Sequence, residues 1–297
     1  MNALVLLNPK AGSGRALRQF REIEPLLPTL LDDFLVATTS SAGEITKHLE
    51  SALAAGYDTI LAMGGDGTNF ALINALAQFP GHDFTIATLP MGSGRDWART
   101  LKIPQDPEAA LRWMTEATPR PVDLGCIRYD GQSQRFLNVA SAGLSGEVSR
   151  RTNVPVKRPW TFLQATITTL LEFDALPMRV TVDGKVWYEG GAFLLAVGNG
   201  QYFGRGMHIC PEAKFDDGFL DVVLVERMNK LKVLAALPSL FQGTHIRRAD
   251  VHTRRARHVL VEAIGPDLGI DMDGEMAGGR RVEFEVMPHA LKMLINS

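Results

Sequence analysis

The sequence is poor in cysteine and has no large excess of charge of either sign. Only 2 of its 297 residues are cysteines, and Cys126 and Cys210 lie far apart, outside any spacing typical of a zinc site. This pattern excludes a disulfide scaffold and indicates free thiols in a reducing compartment. The 31 basic and 33 acidic residues leave a formal net charge of -2. No global positive field therefore favours nucleic acid, and attraction to an anionic membrane would have to be local.

Long hydrophobic runs are also absent. No stretch reaches the roughly 18 apolar residues of a membrane-spanning helix, and the first apolar run, residues 3–7, is too short for a signal peptide and lacks its basic segment. With 45% hydrophobic and 22% charged residues, the composition excludes a disordered, collagenous or coiled-coil chain. We therefore expect a cytoplasmic protein without a transmembrane segment, whose contact with the inner face of the membrane, if any, is peripheral.

The pattern of apolar and polar residues changes near residue 122, where we place a domain boundary. Before it, short apolar runs alternate with amphipathic stretches, the pattern of an α/β domain with a parallel, Rossmann-like sheet. After it, paired strand-like runs joined by Asp-Gly turns predict a mostly antiparallel β-sandwich. The predicted domains are residues 1–122, joined by about residues 288–297, and residues 123–287. Individual predictions are helices over residues 69–79, 161–173 and 231–240, one strand over 135–140, and separate strands over 185–189 and 192–197.

Three of the first four predicted strands end in a glycine-rich loop that opens a helix. Parallel strands bring such loops to one edge of the sheet, where free backbone N–H groups and positive helix ends favour a polyphosphate. The first loop, residues 8–15, is not a Walker A sequence, because Arg15 replaces the lysine. It is not a dinucleotide fingerprint either, because Leu17 replaces the third glycine. The alternative for any single loop is that its glycines only form a turn.

The second loop carries an acidic side chain among glycines. Asp66 lies within the sequence Gly-Gly-Asp-Gly-Thr at residues 64–68, directly after an apolar run. A carboxylate contacts phosphate through Mg²⁺ or a proton, so this loop predicts a metal-assisted phosphate site. The alternative is that Asp66 caps the N-terminus of its helix.

Two acidic clusters lie in the second half of the chain. Asp271, Asp273 and Glu275 alternate, so an extended segment would present all three carboxylates on one face, where a cation or a shared proton must offset their repulsion. The alternative is a solvated hairpin tip, since the Asp-Gly pair at residues 273–274 is itself a turn signal. Residues 214–221 could hold a hard cation with carboxylate and backbone carbonyl oxygens, or form a polar turn.

Taken in order, these motifs resemble the diacylglycerol kinase catalytic family, lipid kinases that include bacterial diacylglycerol kinase-like enzymes and the sphingosine and ceramide kinases. The resemblance covers essentially the whole chain. The Gly-Gly-Asp-Gly-Thr loop alone would also fit an NAD kinase, but the two acidic motifs favour the lipid kinases. The matching segments are residues 8–14, 64–68, 90–99, 198–204, 211–221 and 273–275.

The resemblance implies a lipid kinase that binds ATP and Mg²⁺ between its two domains and transfers the γ-phosphoryl group to a lipid hydroxyl, as in phospholipid biosynthesis. The α/β domain would bind the nucleotide, and the β-rich domain would bind the lipid acceptor and metal. Glu275 would be the proton acceptor, with Asp273 and Asp66 as acidic neighbours around the catalytic metal. The residues expected at the nucleotide are Asn8, Gly12, Thr39, Gly64, Gly65, Asp66, Gly67, Thr68 and Ser93.

The resemblance also implies a structural Mg²⁺ and a membrane-bound substrate. The carbonyl oxygens of Lys214 and Phe219 and the carboxylate of Asp217 would hold this Mg²⁺. The lipid substrate would be met at a membrane surface by peripheral contact, for which the arginine-bearing residues 245–258 are the best candidate. The sequence does not determine the oligomeric state and is compatible with a homodimer.

Several positions depart from the family pattern. Phe70 and Ala71 replace the usual Asn-Glu pair after the second loop, Arg95 stands where asparagine is usual, and Ser145 replaces an aspartate. Two alternatives therefore stay open: a catalytically silent nucleotide- or lipid-binding regulator, and a kinase of a soluble acceptor such as NAD.

Overall fold

The computed structural model describes residues 1–152, 168–170 and 172–296. The chain forms two compact units: unit 1 comprises Met1–Asp123 and His289–Ser297, and unit 2 comprises Leu124–Pro288. Within the described residues, no helix is long and apolar enough to cross a bilayer. The predicted helix over residues 161–173 lies largely outside the described residues.

Unit 1 contains a parallel sheet, whose N-terminal strands are β1 Asn2–Leu7, β2 Asp33–Thr38, β3 Thr59–Gly64 and β4 Thr85–Pro90. They lie in the order β4-β3-β1-β2. The end of the chain returns to this sheet, where Lys292 and Met293 pair in parallel with Thr85 and Ile86. β1 and β3 are buried over nearly their whole length, as expected of parallel strands covered on both faces. The predicted parallel α/β domain is confirmed.

The helices of unit 1 in the described residues are α1 Arg15–Ile23, α2 Ala42–Ala54, α3 Asp66–Leu76, α4 Asp96–Thr100 and α5 Pro107–Thr115, with a 3₁₀ helix at Glu24–Thr29. α3 begins earlier than the prediction of residue 69. Gly65 is its N-cap, in an extended conformation with φ of -111°, so the chain enters the helix directly after β3. This early start places Asp66 and Thr68 in the first turn of α3.

Unit 2 is antiparallel, and the predicted antiparallel second domain is confirmed. Every strand pair of determined register within it is antiparallel. The strands, of which β5 begins and β15 ends in unit 1, are β5 Thr118–Tyr129, β6 Gln132–Phe136, β7 Val139–Gly143, β8 Leu176–Val182, β9 Lys185–Gly198, β10 Leu220–Glu226, β11 Val251–Ala256, β12 His258–Ala263, β13 Leu268–Met272, β14 Glu275–Gly279 and β15 Arg281–Ile295. The helices with both ends in the described residues are α6 Leu144–Thr152 and α7 Lys230–Gln242, with a 3₁₀ helix at Thr244–Arg247. Residues 168–170 and 172 are also helical.

The strands of unit 2 bring the end of β13 next to β7. Hydrogen-bonded neighbours follow the order β14-β13-β7-β9-β8-β12-β15, while β10 pairs with β9 and β11, and β5 pairs with β6 and β15. The apolar core near β7 and β9 includes Val139, Leu194, Ile209 and Val223. The acidic residue of β13, Asp271, therefore lies on a strand paired directly with this buried part of the sheet, whereas Glu275 begins the edge strand β14.

Asp-Gly pairs close three tight hairpins in unit 2. Asp130, Asp183 and Asp273 have φ of 46°, 47° and 51°, and the glycines after them have φ of 74°, 79° and 92°. Positive φ at both positions defines the type I′ turn that matches strand twist. These turns join β5 to β6, β8 to β9 and β13 to β14. The turn prediction is confirmed, and the chain reverses within the acidic triplet.

The predicted pair of strands over residues 185–189 and 192–197 is wrong, because β9 is continuous. Gly190 and Gly191 lie within the strand, and Gly190 makes room for the side chain of Tyr188. A Cβ on Gly190 would lie 2.9 Å from the phenol oxygen of Tyr188, and that hydroxyl donates to the carbonyl oxygen of Gly191 at 2.8 Å.

The predicted single strand over residues 135–140 is also wrong, because β6 and β7 are separate. Leu137 and Asn138 lie between them and donate their backbone N–H groups to the Asp273 side chain. The predicted helix over residues 231–240 is confirmed as α7.

Candidate active site

The three glycine loops of unit 1 touch one another through their backbones. A Cβ on Gly92 would lie 2.5 Å from the Cα of Gly65, and a Cβ on Gly12 would lie 2.5 Å from the carbonyl oxygen of Met91. The backbone N–H groups of Met91 and Gly92 donate to the carbonyl oxygen of Gly64 at 2.7 and 3.0 Å. The loops that follow β1, β3 and β4 therefore form one surface, with no room for side chains at these contacts.

We expect Gly92→Ala to destabilise unit 1 by about 2 kcal/mol, because its new methyl group would overlap backbone atoms that cannot move independently. The matched control is Gly43→Ala in α2, where a Cβ meets nothing within 4 Å. Chemical denaturation of the two variants and the wild type measures the change in the free energy of unfolding. A Gly92→Ala protein as stable as Gly43→Ala would contradict the observed closeness of the second and third loops.

Asp66 joins the second loop to the third. Its carboxylate accepts the backbone N–H groups of Asp96 and Trp97 at 3.3 and 3.2 Å, and a Cβ on Gly94 would lie 2.5 Å from its Oδ2. Asp66 therefore supplies the capping oxygens of α4, a helix 30 residues further along the chain. The alternative prediction, that Asp66 caps the helix in which it lies, is wrong, because α3 has no side-chain cap. The role of Asp66 beside a catalytic metal stays a prediction.

The other predicted nucleotide residues of unit 1 lie at the ends of the parallel strands. Asn8 donates its side-chain N–H to Thr68 Oγ1 at 3.0 Å, which joins the first loop to the second. Thr39 follows β2 and is buried, with its hydroxyl donating to the carbonyl oxygen of Ser41 at 3.0 Å. Ser93 is exposed on the third loop. The structure thus joins Asn8 and Thr68 directly.

The acidic triplet of unit 2 does not form one acidic face, so that prediction is wrong. Asp271 is buried at the end of β13, Asp273 occupies the hairpin turn, and Glu275 begins β14 and is exposed. The local preference of Asp-Gly for a type I′ turn prevails over the alternation of the three side chains.

Asp273 is held by backbone N–H groups. Its Oδ2 accepts from Leu137 at 2.7 Å, and its Oδ1 accepts from Asn138 and Val139 at 3.1 and 3.0 Å. These contacts fix the β13–β14 hairpin to the chain between β6 and β7, and they place Glu275 on an anchored turn. The catalytic role predicted for Asp273 stays a prediction beside this structural role.

Asp271 has an unusual proton affinity. Burial raises the pKa of Asp271 to about 6. The negative charge of Glu275 acts in the same direction, whereas the hydrogen bond from the Ser149 hydroxyl lowers the pKa. Between about pH 4 and pH 6, the folded state keeps a proton that the unfolded state has released. The free energy of unfolding therefore falls as the pH rises through this window and stays lower above it.

We expect Asp271→Asn to raise the free energy of unfolding at pH 7 by about 2 kcal/mol, because an amide cannot ionise and still accepts the Ser149 hydrogen bond. Near pH 4 the gain should vanish. Urea denaturation across this pH range measures the difference, with the exposed Asp267→Asn as control. An Asp271→Asn protein with the same pH dependence as the wild type would show that Asp271 is not the group that titrates.

The predicted structural metal residues cluster at the start of β10. Asp217 Oδ1 accepts the backbone N–H of Phe219 at 3.1 Å, and its Oδ2 pairs with Arg255. Asp221 is buried, and its Oδ2 has no hydrogen-bond partner within the described residues. Burial raises the pKa of Asp221 to about 6; Arg255 lowers it, and Asp217 raises it.

One oxygen of this cluster could still bind a cation. Asp217 already pairs with Arg255, but the buried Oδ2 of Asp221 has no hydrogen-bond partner among the described residues, and a cation there would stabilise the ionised form of Asp221. No group of three or more His, Cys, Asp or Glu side chains in the described residues is arranged to hold a metal. Backbone carbonyl oxygens, such as those of Lys214 and Phe219, would have to complete the ligand set, as Mg²⁺ accepts.

The sequence places Asp221 in the acidic segment that could hold a cation, but it does not single out Asp221 as a ligand or Arg255 as its neighbour. The burial of Asp221 in β10 distinguishes it from the other acidic residues only in the structure. Arg255 belongs to the stretch assigned to membrane contact, but it pairs with Asp217 and stacks at 4.5 Å on the Phe219 ring. No local pattern signals a contact across 38 residues.

Comparison with known proteins now defines the class. Residues 2–127 match the diacylglycerol kinase catalytic domain, and residues 138–295 match the YegS C-terminal NAD kinase beta sandwich-like domain. The chain belongs to the family of diacylglycerol kinases and YegS-like lipid kinases. The predicted family and the predicted sandwich are thereby confirmed.

Individual relatives match nearly the whole chain. A protein named "Probable lipid kinase YegS-like" from Pseudomonas aeruginosa PAO1 is 34% identical over 88% of this chain and 84% of its own. A diacylglycerol kinase from Mycobacterium tuberculosis H37Rv is 31% identical over 97% of this chain and 93% of its own length. The crystal structure of a diacylglycerol kinase from Bacillus anthracis matches with a TM-score of 0.75 at 27% identity. The match covers 99% of this chain and 97% of that chain. An NAD kinase from Archaeoglobus fulgidus in complex with ATP, at a TM-score of 0.50 and 13% identity, shares the fold alone.

Proposed function

We propose that this protein is an ATP- and Mg²⁺-dependent kinase that transfers the γ-phosphoryl group of ATP to the hydroxyl of a diacylglycerol-like lipid. The observation that carries the proposal is the backbone contact among the three glycine loops, which brings the carboxyl ends of β1, β3 and β4 together into one surface, the position where parallel sheets bind a polyphosphate. The loop residues Asn8, Gly12, Gly64 to Thr68 and Ser93, with Thr39, would surround the phosphates.

Glu275 accepts the proton in the proposed step. The lipid hydroxyl oxygen forms a bond to the γ-phosphorus, the bond from that phosphorus to the β–γ bridging oxygen breaks, and ADP leaves. The hydroxyl proton passes to the Glu275 carboxylate. Glu275 pairs with Met272 through the β13–β14 ladder, but its side chain is exposed and no hydrogen bond from the described residues to its carboxylate is seen, so these oxygens are accessible to an acceptor.

Magnesium supplies positive charge to the phosphates when bound. Asp66 is a carboxylate within the second phosphate loop and would face the catalytic metal, and in unit 2 the turn at Asp217 and Phe219 would hold the structural ion. The unpartnered oxygen of Asp221 supports this second site.

A cavity in unit 2 supports a lipid acceptor. It has a volume of about 220 Å³, and its lining combines the apolar side chains of Phe173, Leu176, Ile270 and Met276, the residue after Glu275, with charged residues. The charged residues of the lining are Glu147, Arg150 and Asp267. Pockets for whole small molecules have volumes of about 300 to 1,000 Å³, so this cavity would hold one segment of an acyl chain. The rest of the lipid would stay in the membrane, which the enzyme would contact peripherally.

An acceptor screen tests the proposal. Purified protein with Mg²⁺ and radiolabelled ATP is offered diacylglycerol, ceramide and sphingosine in mixed micelles, and NAD in solution. We expect a diacylglycerol-like lipid to be labelled. ATP binding without transfer to any acceptor would favour the silent regulator, and labelling of NAD alone would favour the soluble-acceptor kinase; either result contradicts the proposal.

A further inference from the structure

Two arginines on the glycine loops of unit 1 lack an acidic partner. Arg15 Nε donates to the carbonyl oxygen of Gly12 at 3.0 Å, and Arg95 Nε donates to that of Gly92 at 2.9 Å. Within residues 1–152, 168–170 and 172–296, neither arginine forms an ion pair with a carboxylate. Both guanidinium groups are therefore attached to the phosphate loops by backbone oxygens, with their charges unneutralised.

The loops that carry these arginines are in contact, which holds the two positive charges near each other. The close approach of Gly12 to Met91 links the first loop to the third. Burial lowers the pKa of Arg95, and the charges of Arg15 and Arg99 lower it further. Because a guanidinium stays protonated in proteins, this repulsion cannot be relieved by loss of a proton. An anion shared by the two side chains would relieve it.

Both side chains retain unused donors. A guanidinium carries five N–H groups; Arg95 uses Nε and one on Nη1, which donates to Gln105 at 3.0 Å, while Arg15 uses Nε. Arg95 also has a φ of 60°, a left-handed conformation that is unfavourable for a residue with a Cβ. A strained backbone that holds a charged side chain in a phosphate loop is typical of a binding residue.

We infer that Arg15 and Arg95 bind the phosphate chain of the nucleotide directly, so that this protein binds a polyphosphate without a divalent cation. The inference rests on the proposed function for the identity of the nucleotide. The guanidinium donors recognise the phosphate oxygens, and free tripolyphosphate offers the same chemistry as the chain of ATP. The residue at position 95 thus determines how far binding depends on Mg²⁺.

Calorimetric titration with inorganic tripolyphosphate in EDTA tests the inference on the full chain. Arg95→Asn removes the charge and keeps a residue that tolerates positive φ, and Arg15→Gln removes the other charge. Each should weaken tripolyphosphate binding by about tenfold or more, the usual effect of losing a charged hydrogen bond. Arg18→Gln, on the exposed face of α1, loses the same charge and should stay within about twofold of the wild type.

A second titration, with ATP in EDTA and then with ATP and Mg²⁺, separates the possible outcomes. Arg95→Asn should weaken metal-free ATP by about the same factor as tripolyphosphate and affect Mg²⁺-ATP less. Wild-type protein that does not bind tripolyphosphate, or folded variants that bind it as the wild type does, would overturn the inference. Tripolyphosphate binding that depends on the two arginines, in a protein that phosphorylates no lipid, would support the inference and contradict the proposed function. Lipid phosphorylation by a protein whose arginine variants bind tripolyphosphate as the wild type does would support the proposed function and contradict the inference.

Discussion

Replacing Glu275 by glutamine should lower kcat for lipid phosphorylation by about 10²- to 10⁴-fold, the contribution typical of a positioned general base. Glutamine has nearly the same shape but cannot take the hydroxyl proton. Glu275 is exposed and lies outside the hydrogen bonds that anchor its hairpin, so the fold and the affinity for ATP should be preserved. Initial rates with saturating Mg²⁺-ATP and lipid in mixed micelles measure the effect.

Glu189→Gln is the matched control for this experiment. It makes the same chemical change in unit 2, at an exposed residue whose partner is Arg179, and it should retain nearly full activity because exposed ion pairs contribute little to stability. If Glu275→Gln transferred phosphate as fast as Glu189→Gln, the proton acceptor would have to be another group.

Replacing Asp273 by asparagine should lower the free energy of unfolding by about 3 kcal/mol, the largest stability effect that we expect in unit 2. Asparagine fits the left-handed conformation of the turn. Its amide, however, presents N–H donors where a carboxylate oxygen now accepts the backbone N–H groups of Leu137, Asn138 and Val139. At least one buried donor would lose its acceptor. Urea denaturation at pH 7 measures the loss.

Asp130→Asn is the control that distinguishes the loss of backbone hydrogen bonds to the side chain from a change in the turn conformation. Asp130 occupies the same position of the same turn type, with φ of 46°, but no hydrogen bond from the described residues to its carboxylate is seen in the structure. We expect its substitution to change stability by less than about 0.5 kcal/mol. Equal losses in Asp273→Asn and Asp130→Asn would mean that the turn conformation, and not the backbone contacts, accounts for the effect.

The architecture was predictable because its signals are local. Alternating apolar runs and amphipathic stretches specified the parallel strands of unit 1, and Asp-Gly pairs specified the hairpins of unit 2. The failures were local as well. Gly190 and Gly191 resemble a strand break until Tyr188 is seen to pack over them. At residues 271–275 two local rules competed, and the turn prevailed over the alternation.

The candidate site was only partly predictable, because its contacts join distant parts of the chain. The Gly-Gly-Asp-Gly-Thr motif marks a phosphate loop, but nothing in it indicates that Asp66 caps α4. Asp273 reaches backbone groups about 135 residues away, and Asp217 pairs with Arg255. Such contacts depend on the packed arrangement of strands, which periodicity does not report.

The central claim, that this protein moves the γ-phosphoryl group of ATP to a lipid hydroxyl, is tested most directly by following both products in one reaction. Wild-type protein with Mg²⁺, γ-labelled ATP and diacylglycerol micelles should form one labelled phospholipid for each ADP released. ADP formed without labelled lipid would show that water is the acceptor, and the absence of both products with every lipid tested would contradict the assignment of kinase activity.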